Sequence, residues 1–139
     1  MGLVEADGQT AYTPRPGSIE RQSICDAIRP YVVRQYGLAP LPEPIVFKIE
    51  WMRVQGCYCN FEAIPLFKDG SYISTKYMVD IAFTLCLKKE GRRWIVIVDL
   101  SRTDVPDGTE LQTIKRKLPS DFPISLLSST WRDLLNKSR

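Results

Sequence analysis

The sequence predicts an α+β fold in which an N-terminal helix packs on a four-stranded antiparallel meander, followed by short C-terminal helices. Three observations predict it. Apolar side chains recur at every second position along residues 77–87, which is the period of a strand with one buried face. Residues 89–92 carry a turn signal, and the chain returns as the apolar run 94–98. Apolar residues at three- and four-residue steps indicate helices within residues 19–36 and again after residue 110.

The first helix is predicted to begin after Gly17-Ser18, because Ser18 offers an N-cap and Glu20 places a negative charge in the first turn. Its apolar positions are Ile24, Ala27, Ile28, Tyr31, Val32 and Val33. Pro30 predicts a kink, since proline lacks the N–H that would bond four residues back. Gly37 predicts the end of the helix.

The strands follow as alternating segments. Residues 45–54 predict a half-buried strand with Ile45, Phe47, Ile49 and Trp51 on one face. A turn at Gln55-Gly56 leads to a second strand over residues 57–64. The third strand presents Tyr77, Val79, Ile81, Phe83, Leu85 and Leu87 on one face. The return strand, residues 94–98, is apolar on both faces, which favours a central position in the sheet.

The pattern changes after Leu100. Leu111, Ile114 and Leu118 predict a short helix that ends before Pro119, and a last helix is predicted from about residue 123 to residue 135. These helices are expected to join the first one in covering one face of the sheet. Residues 1–16 predict a flexible N-terminal tail, and residues 17–139 a single domain.

Composition limits the classes of function. The chain has 139 residues, 44% of them hydrophobic and 25% charged, as in an ordinary globular domain. Its formal charge of +3 falls short of the dense basic surface of a nucleic-acid binder, so no nucleic-acid partner is predicted. No apolar run approaches the roughly 20 residues of a membrane span. The chain has no histidine, which removes Ser-His-Asp and Cys-His catalysis and His-containing zinc sites, and no cofactor or metal is predicted.

Several short motifs are similar to those of a known group. They are Gly17-Ser18, Glu20-Arg21, Ile24, Ala27 and Arg29-Pro30, then Gln55-Gly56, then Leu87-Lys88-Lys89 with Gly91, Trp94 and Val96, and finally Thr103-Asp104-Val105. Together they resemble small uncharacterised exported proteins of Gram-negative bacteria. The resemblance implies a cystatin-like or nuclear-transport-factor-like fold and a periplasmic or secreted protein. The chain departs from the group at residues 56–59, where Gly-Cys-Tyr-Cys replaces the expected Gly-x-Trp-Ala.

The four cysteines are Cys25, Cys57, Cys59 and Cys86. One residue separates Cys57 from Cys59, whereas zinc knuckles and thioredoxin-type motifs have two. The sequence favours reduced, buried thiols. A disulfide of undetermined pairing and a metal or redox site remain as alternatives.

Two sets of residues are candidates for function. The candidate binding residues are Arg92 and Arg93 in the hairpin turn and Arg102 and Asp104 in the following loop. The candidate pocket residues lie between the first helix and a curved sheet, and are Tyr31, Trp51, Asp80 and Trp94. For the arginines, as for the basic residues 115–117, the simpler interpretation is a solvated turn or helix face.

No catalytic constellation accompanies these candidates. The leading hypothesis is therefore a non-enzymatic cell-envelope module that binds a protein partner, of the inhibitor or immunity type. The alternative is a small-molecule pocket or enzyme that uses the cavity between helix and sheet. A homodimer is compatible with the sequence.

Overall fold

The computed structural model describes residues 10–35, 45–73, 82–101 and 105–137. The elements, in chain order, are α1 (Ile19–Gln35), β1 (Val46–Gln55), β2 (Tyr58–Leu66), β3 (Phe83–Glu90), β4 (Arg93–Asp99), α2 (Gly108–Lys117), a 3-10 turn (Ile124–Leu126) and α3 (Ser129–Lys137). The predicted α+β order is confirmed. The predicted beginning of the third strand over residues 77–81, including Asp80, lies outside the described residues, as do Arg102 and Asp104.

The four strands form one antiparallel sheet in the order β1-β2-β3-β4. Tight turns at Gly56 (φ +60°) and Gly91 (φ +64°) join β1 to β2 and β3 to β4. Both use a left-handed backbone conformation that glycine adopts without steric cost. The prediction that the return strand is central is wrong for the described sheet, because β4 is an edge strand.

One face of the sheet is covered by α1. Ile24, Ile28 and Val32 are fully buried there, against side chains that include Phe61 and Leu87. These helix residues are spaced at four, so they form one stripe toward the sheet. The helix continues through Pro30 to Gln35.

The other face is covered by α2, the 3-10 turn and α3. Their apolar residues include Leu111, Leu126 and Trp131, which pack in a second core with Cys86 and Val98. The expectation that all helices cover one face is therefore wrong, and the sheet is the middle of three layers. The apolar return strand is explained by this arrangement, since β4 meets α1 on one face and the second core on the other.

Two irregularities in the sheet change which side chains face α1. In β1, Ile49 pairs with Ala63 but Trp51 pairs with Glu62, so Glu50 is an extra residue. The predicted placement of Trp51 on the same face as Ile49 is wrong. Trp51 lies on the far face, where its Nε1 donates to the carbonyl of Leu126 at 3.1 Å.

The second irregularity lies in β4. Leu87 pairs with Val96 and Cys86 with Val98, so Ile97 is the extra residue. The shift brings Asp99 opposite Leu85, on the face covered by α1. There the Tyr31 hydroxyl of α1 donates to Asp99 Oδ2 at 2.9 Å.

Residues 10–16, which the sequence places in a flexible tail, lie against β1 and α1. The backbones of Tyr12 and Val54 exchange two hydrogen bonds, at 2.9 and 2.7 Å. The Tyr12 hydroxyl donates to Glu20, and Arg21 donates to the carbonyl of Pro14. This segment therefore covers the outer edge of β1 at Val54.

Candidate functional site

A groove of about 570 Å³ runs between α1 and β4. It is lined by Ser23, Asp26, Ala27, Pro30, Tyr31 and Arg34 of the helix and by residues 92–96 of the hairpin and strand. The helix residues follow three- and four-residue steps, so they form a single stripe about 16 Å long. Five extended residues span about the same length. The groove thus has the dimensions of a short extended segment.

The strand wall of the groove presents backbone groups as well as side chains. The N–H of Lys89 in β3 donates to Cys57 on the β2 side, at 2.7 Å. Lys89 is paired with Trp94, so the two form a non-hydrogen-bonded pair of the ladder. The N–H and C=O of Trp94 therefore point away from β3, toward the outer edge. Val96, two residues further along β4, is paired with Leu87, and its N–H and C=O also point toward the outer edge.

The side chains at the rim are mainly cationic. Arg34, Arg92 and Arg93 are exposed, and within the described part of the chain none of their guanidinium groups forms a hydrogen bond or ion pair. Asp26 is the carboxylate of the groove, and it already accepts from Arg29 at 3.0 Å and from Gln22 at 2.9 Å. An acidic ligand would therefore find guanidinium groups available on both walls.

The helix wall also offers a backbone acceptor. Pro30 has no N–H, so it leaves the carbonyl of Asp26 without its usual helical partner. Both residues line the groove.

The base of the groove is held in place by packing. Trp94 is 6% exposed and belongs to the core beneath α1, with Lys89 Nζ 6.0 Å from its ring centroid. Tyr31 is held by its hydrogen bond to Asp99. A preformed base of this kind lowers the entropic cost of binding.

The structure brings together four of the predicted site residues: Arg92, Arg93, Tyr31 and Trp94. Trp51, predicted in the same pocket, lies on the opposite face of the sheet, because the extra residue Glu50 inverts the alternation. The predicted cavity between helix and sheet is filled by core side chains such as Ile24, Ile28 and Phe61. The groove lies beside this core, at the edge of the sheet.

Neither Arg34 nor the edge of β4 is predicted as a site by the sequence. Arg34 is one of several polar residues on the exposed side of a helix, and nothing in its spacing distinguishes it from Arg21. Its importance follows from the position of α1 over β4, which is a tertiary property. A basic residue in the last turn of a helix has a simpler role beside the helix dipole.

All four cysteines are free thiols. Cys59 and Cys86 are fully buried but face different cores, Cys59 toward α1 and Cys86 toward the C-terminal helices. Burial raises the pKa of Cys86 to about 12 and also raises the pKa of Cys59 well above its usual value. Cys25 and Cys57 are half-buried. Neither buried thiol reaches the groove.

Residues 10–35, 45–73, 82–101 and 105–137 contain no cluster of three potential metal ligands. A smaller cavity of about 300 Å³ lies among the C-terminal helices, with Lys115 and Phe122 in its wall. None of the helices in the described ranges is long and apolar enough to cross a membrane.

Comparison of the chain with protein-family models, with curated proteins and with solved structures finds no match. The resemblance to exported proteins with a cystatin-like or nuclear-transport-factor-like fold therefore stays a prediction.

Proposed function

We propose that this protein is a non-enzymatic interaction module that binds a protein partner through the α1–β4 groove. The observation that supports the proposal is the combination of a strand edge that no described segment pairs with and three arginine side chains that have no partner in the described residues. Exposed edges are sites of strand pairing with other chains, and proteins usually cover or block them.

The two edges of the sheet differ in this respect. The outer edge of β1 is paired with Tyr12 at Val54. Along β4, no described segment pairs with the outward groups of Trp94 and Val96. The difference supports β4 as the binding edge.

The cell envelope is the proposed location. The resemblance to exported proteins of Gram-negative bacteria supports this location. We also propose that the module is of the inhibitor or immunity type. Osmotic-shock fractionation of the native host should recover the protein with periplasmic markers. Recovery with cytosolic markers alone would contradict this location.

The experiment is a quantitative pull-down from cell-envelope extract with mass spectrometry. The groove variant carries R92E and R93E, which reverse two exposed charges on one wall. The matched control carries K115E and R116E, which reverse the same number of charges on α2, on the other side of the sheet. We expect a partner that the wild type and the control retain and that the groove variant loses by about tenfold or more. Equal recovery by all three proteins would contradict the proposal.

The groove volume also favours a second candidate function, since small-molecule sites commonly occupy about 300–1,000 Å³. In that case the arginines would hold a small anionic ligand. Thermal unfolding in the presence of a panel of small carboxylates and phosphates distinguishes the two candidates. A stabilisation that the R92E/R93E variant loses, without any groove-dependent protein partner, would favour the small-molecule site.

A further inference from the structure

We infer that the occupant of the groove is an acidic, extended segment of the partner, which adds to the sheet as a fifth strand beside β4. This inference rests on the proposed function and specifies how the partner is recognised. Three observations carry it: the outward backbone groups of β4, the arginines on both walls, and the length of the groove.

The backbone of β4 supplies the pairing groups. Trp94 and Val96 direct their N–H and C=O groups outward, as the register with Lys89 and Leu87 requires. The backbone groups of Trp94 and those of Val96 are about 7 Å apart, because two residues of a strand span that distance. An extended peptide also directs the N–H and C=O groups of every second residue toward the same neighbouring strand, so its spacing matches. An added strand would pair with both residues in one register. Main-chain bonds of this kind supply affinity in strand-addition complexes, and side-chain contacts supply specificity.

The arginines supply the preference for acidic residues. Arg93 pairs with Glu90 in β3, which places its side chain on the sheet face opposite Trp94. Arg34 lies on α1, on the Trp94 side. Successive side chains of an added strand point to opposite faces, so carboxylates on its two faces would meet Arg34 on one side and Arg93 on the other. Charge-assisted hydrogen bonds from guanidinium groups to carboxylates are stronger than neutral ones.

Other occupants fit less well. A second copy paired edge to edge would bring two sets of these arginines together, and like charges at an interface disfavour it. A helical ligand needs an apolar groove, whereas this one has Ser23, Asp26 and the arginines in its walls. A single-stranded nucleic acid would need exposed rings for stacking, and Trp94 is buried.

The first test uses a displayed library of random 12-residue peptides, selected on the wild-type protein. We expect enrichment of Asp and Glu together with strand-forming residues, and no comparable enrichment on the R92E/R93E variant. The affinity of the best peptide should fall about tenfold or more in that variant and should change little in K115E/R116E. Enrichment of basic or helix-forming peptides, or of none, would overturn the inference.

The second test examines the backbone pairing. The best peptide is synthesised with single N-methyl groups at successive positions, each of which removes one donor without altering the protein. We expect an alternating result, in which methylation weakens binding about tenfold at every second residue and has little effect between them. Amide exchange at Trp94 and Val96 should slow on binding, while exchange at the exposed residue Arg92 should not. A uniform effect of methylation, or unchanged exchange at both residues, would contradict strand addition.

The two proposals fail separately. If the pull-down partner depends on Arg92 and Arg93 but the selected peptide shows no alternation, the interaction module stands and strand addition is wrong. If the peptide alternates as expected but the extract yields no groove-dependent partner, the groove binds acidic strands but the cellular role proposed here is wrong.

Discussion

At the scale of single residues, the cysteines show how position within the fold controls reactivity. Cys59 and Cys86 are 0% exposed, and burial raises the pKa of each thiol. Cys25 is half-buried, and burial raises the pKa of its thiol too. Because the thiolate is the reactive form, raised pKa values and poor access both slow attack on reagents.

Thiol titration should therefore give two classes of cysteine. With a thiol reagent at pH 8, we expect no more than two of the four cysteines to react quickly in the folded protein, and all four to react in denaturant. Cys57 should be the fastest, so the C57S variant should lose the fastest phase. Four equally fast thiols in the folded state, or fewer than four in denaturant without reductant, would contradict this assignment.

Some features at this scale follow from sequence and others do not. The burial of Cys59 follows from its place in an alternating strand. Asn60 is also 0% exposed, between the sheet and the C-terminal helices. Its burial does not follow from the sequence, because a polar residue on the other side of an alternating strand is predicted to face solvent. Its Nδ2 donates to the carbonyl of Leu85 at 3.1 Å. Only the second helical layer makes that position buried.

At the scale of elements, period-two alternation is reliable where the strand is regular. Phe83, Leu85 and Leu87 share the α1 face in β3, as their spacing predicts. In β1 the same reasoning fails after Ile49, because the extra residue Glu50 moves Trp51 to the far face. A bulge carries little sequence signal here, since Glu50 is an unremarkable polar residue in an alternating pattern.

The bulge in β4 has an energetic consequence that a double-mutant cycle can measure. It places Asp99 beneath α1, where Asp99 accepts from Tyr31. We expect Tyr31→Phe and Asp99→Ala each to lower the free energy of unfolding, and the pair to be coupled by about 1 kcal/mol. Denaturant unfolding of the two single variants and the double variant gives the coupling.

The control cycle for this contact combines Tyr31→Phe with Asp133→Ala. Asp133 lies on α3, which covers the opposite face of the sheet, and it is exposed. Distant sites usually add to within about 0.5 kcal/mol. A Tyr31–Asp99 coupling no larger than that of the control would contradict a structural role for the hydrogen bond between α1 and the bulge.

At the scale of the whole molecule, the order of elements was predictable but their arrangement in layers was not. The pattern of a helix shows which of its faces is apolar, and does not show which face of a sheet it covers. Only part of the candidate site could therefore be predicted from the sequence. Arg92 and Arg93 stand out as a basic pair in a turn, whereas the groove depends on α1 lying along the edge of β4, with Arg34 beside it.

Several acidic groups that are neutral in the fold should make the whole protein sensitive to alkali. Burial raises the pKa of Cys86 to about 12. Partial burial and the hydrogen bond to Glu20 raise the pKa of Tyr12 to about 12, and the hydrogen bond to Asp121 raises the pKa of Tyr58 to about 12. Their ordinary pKa values are 9.0 for cysteine and 10.0 for tyrosine. The unfolded chain therefore releases these protons first, and between about pH 9 and pH 12 the folded state binds more protons than the unfolded state.

The free energy of unfolding should thus be fully retained below about pH 9 and should fall as the pH rises toward 12. Urea unfolding in reductant at pH 8, 9.5 and 11 measures this decline. The Tyr58→Phe variant should be less stable at pH 8, by about 1–2 kcal/mol for the lost hydrogen bond, but should lose less stability than the wild type between pH 9.5 and 11. A wild type of constant stability over this range, or an identical decline in the variant, would contradict the assigned protonation of Tyr58. Since Tyr58 joins the sheet to Asp121 on the C-terminal side, the same measurement reports whether the second helical layer is held to the sheet by this contact.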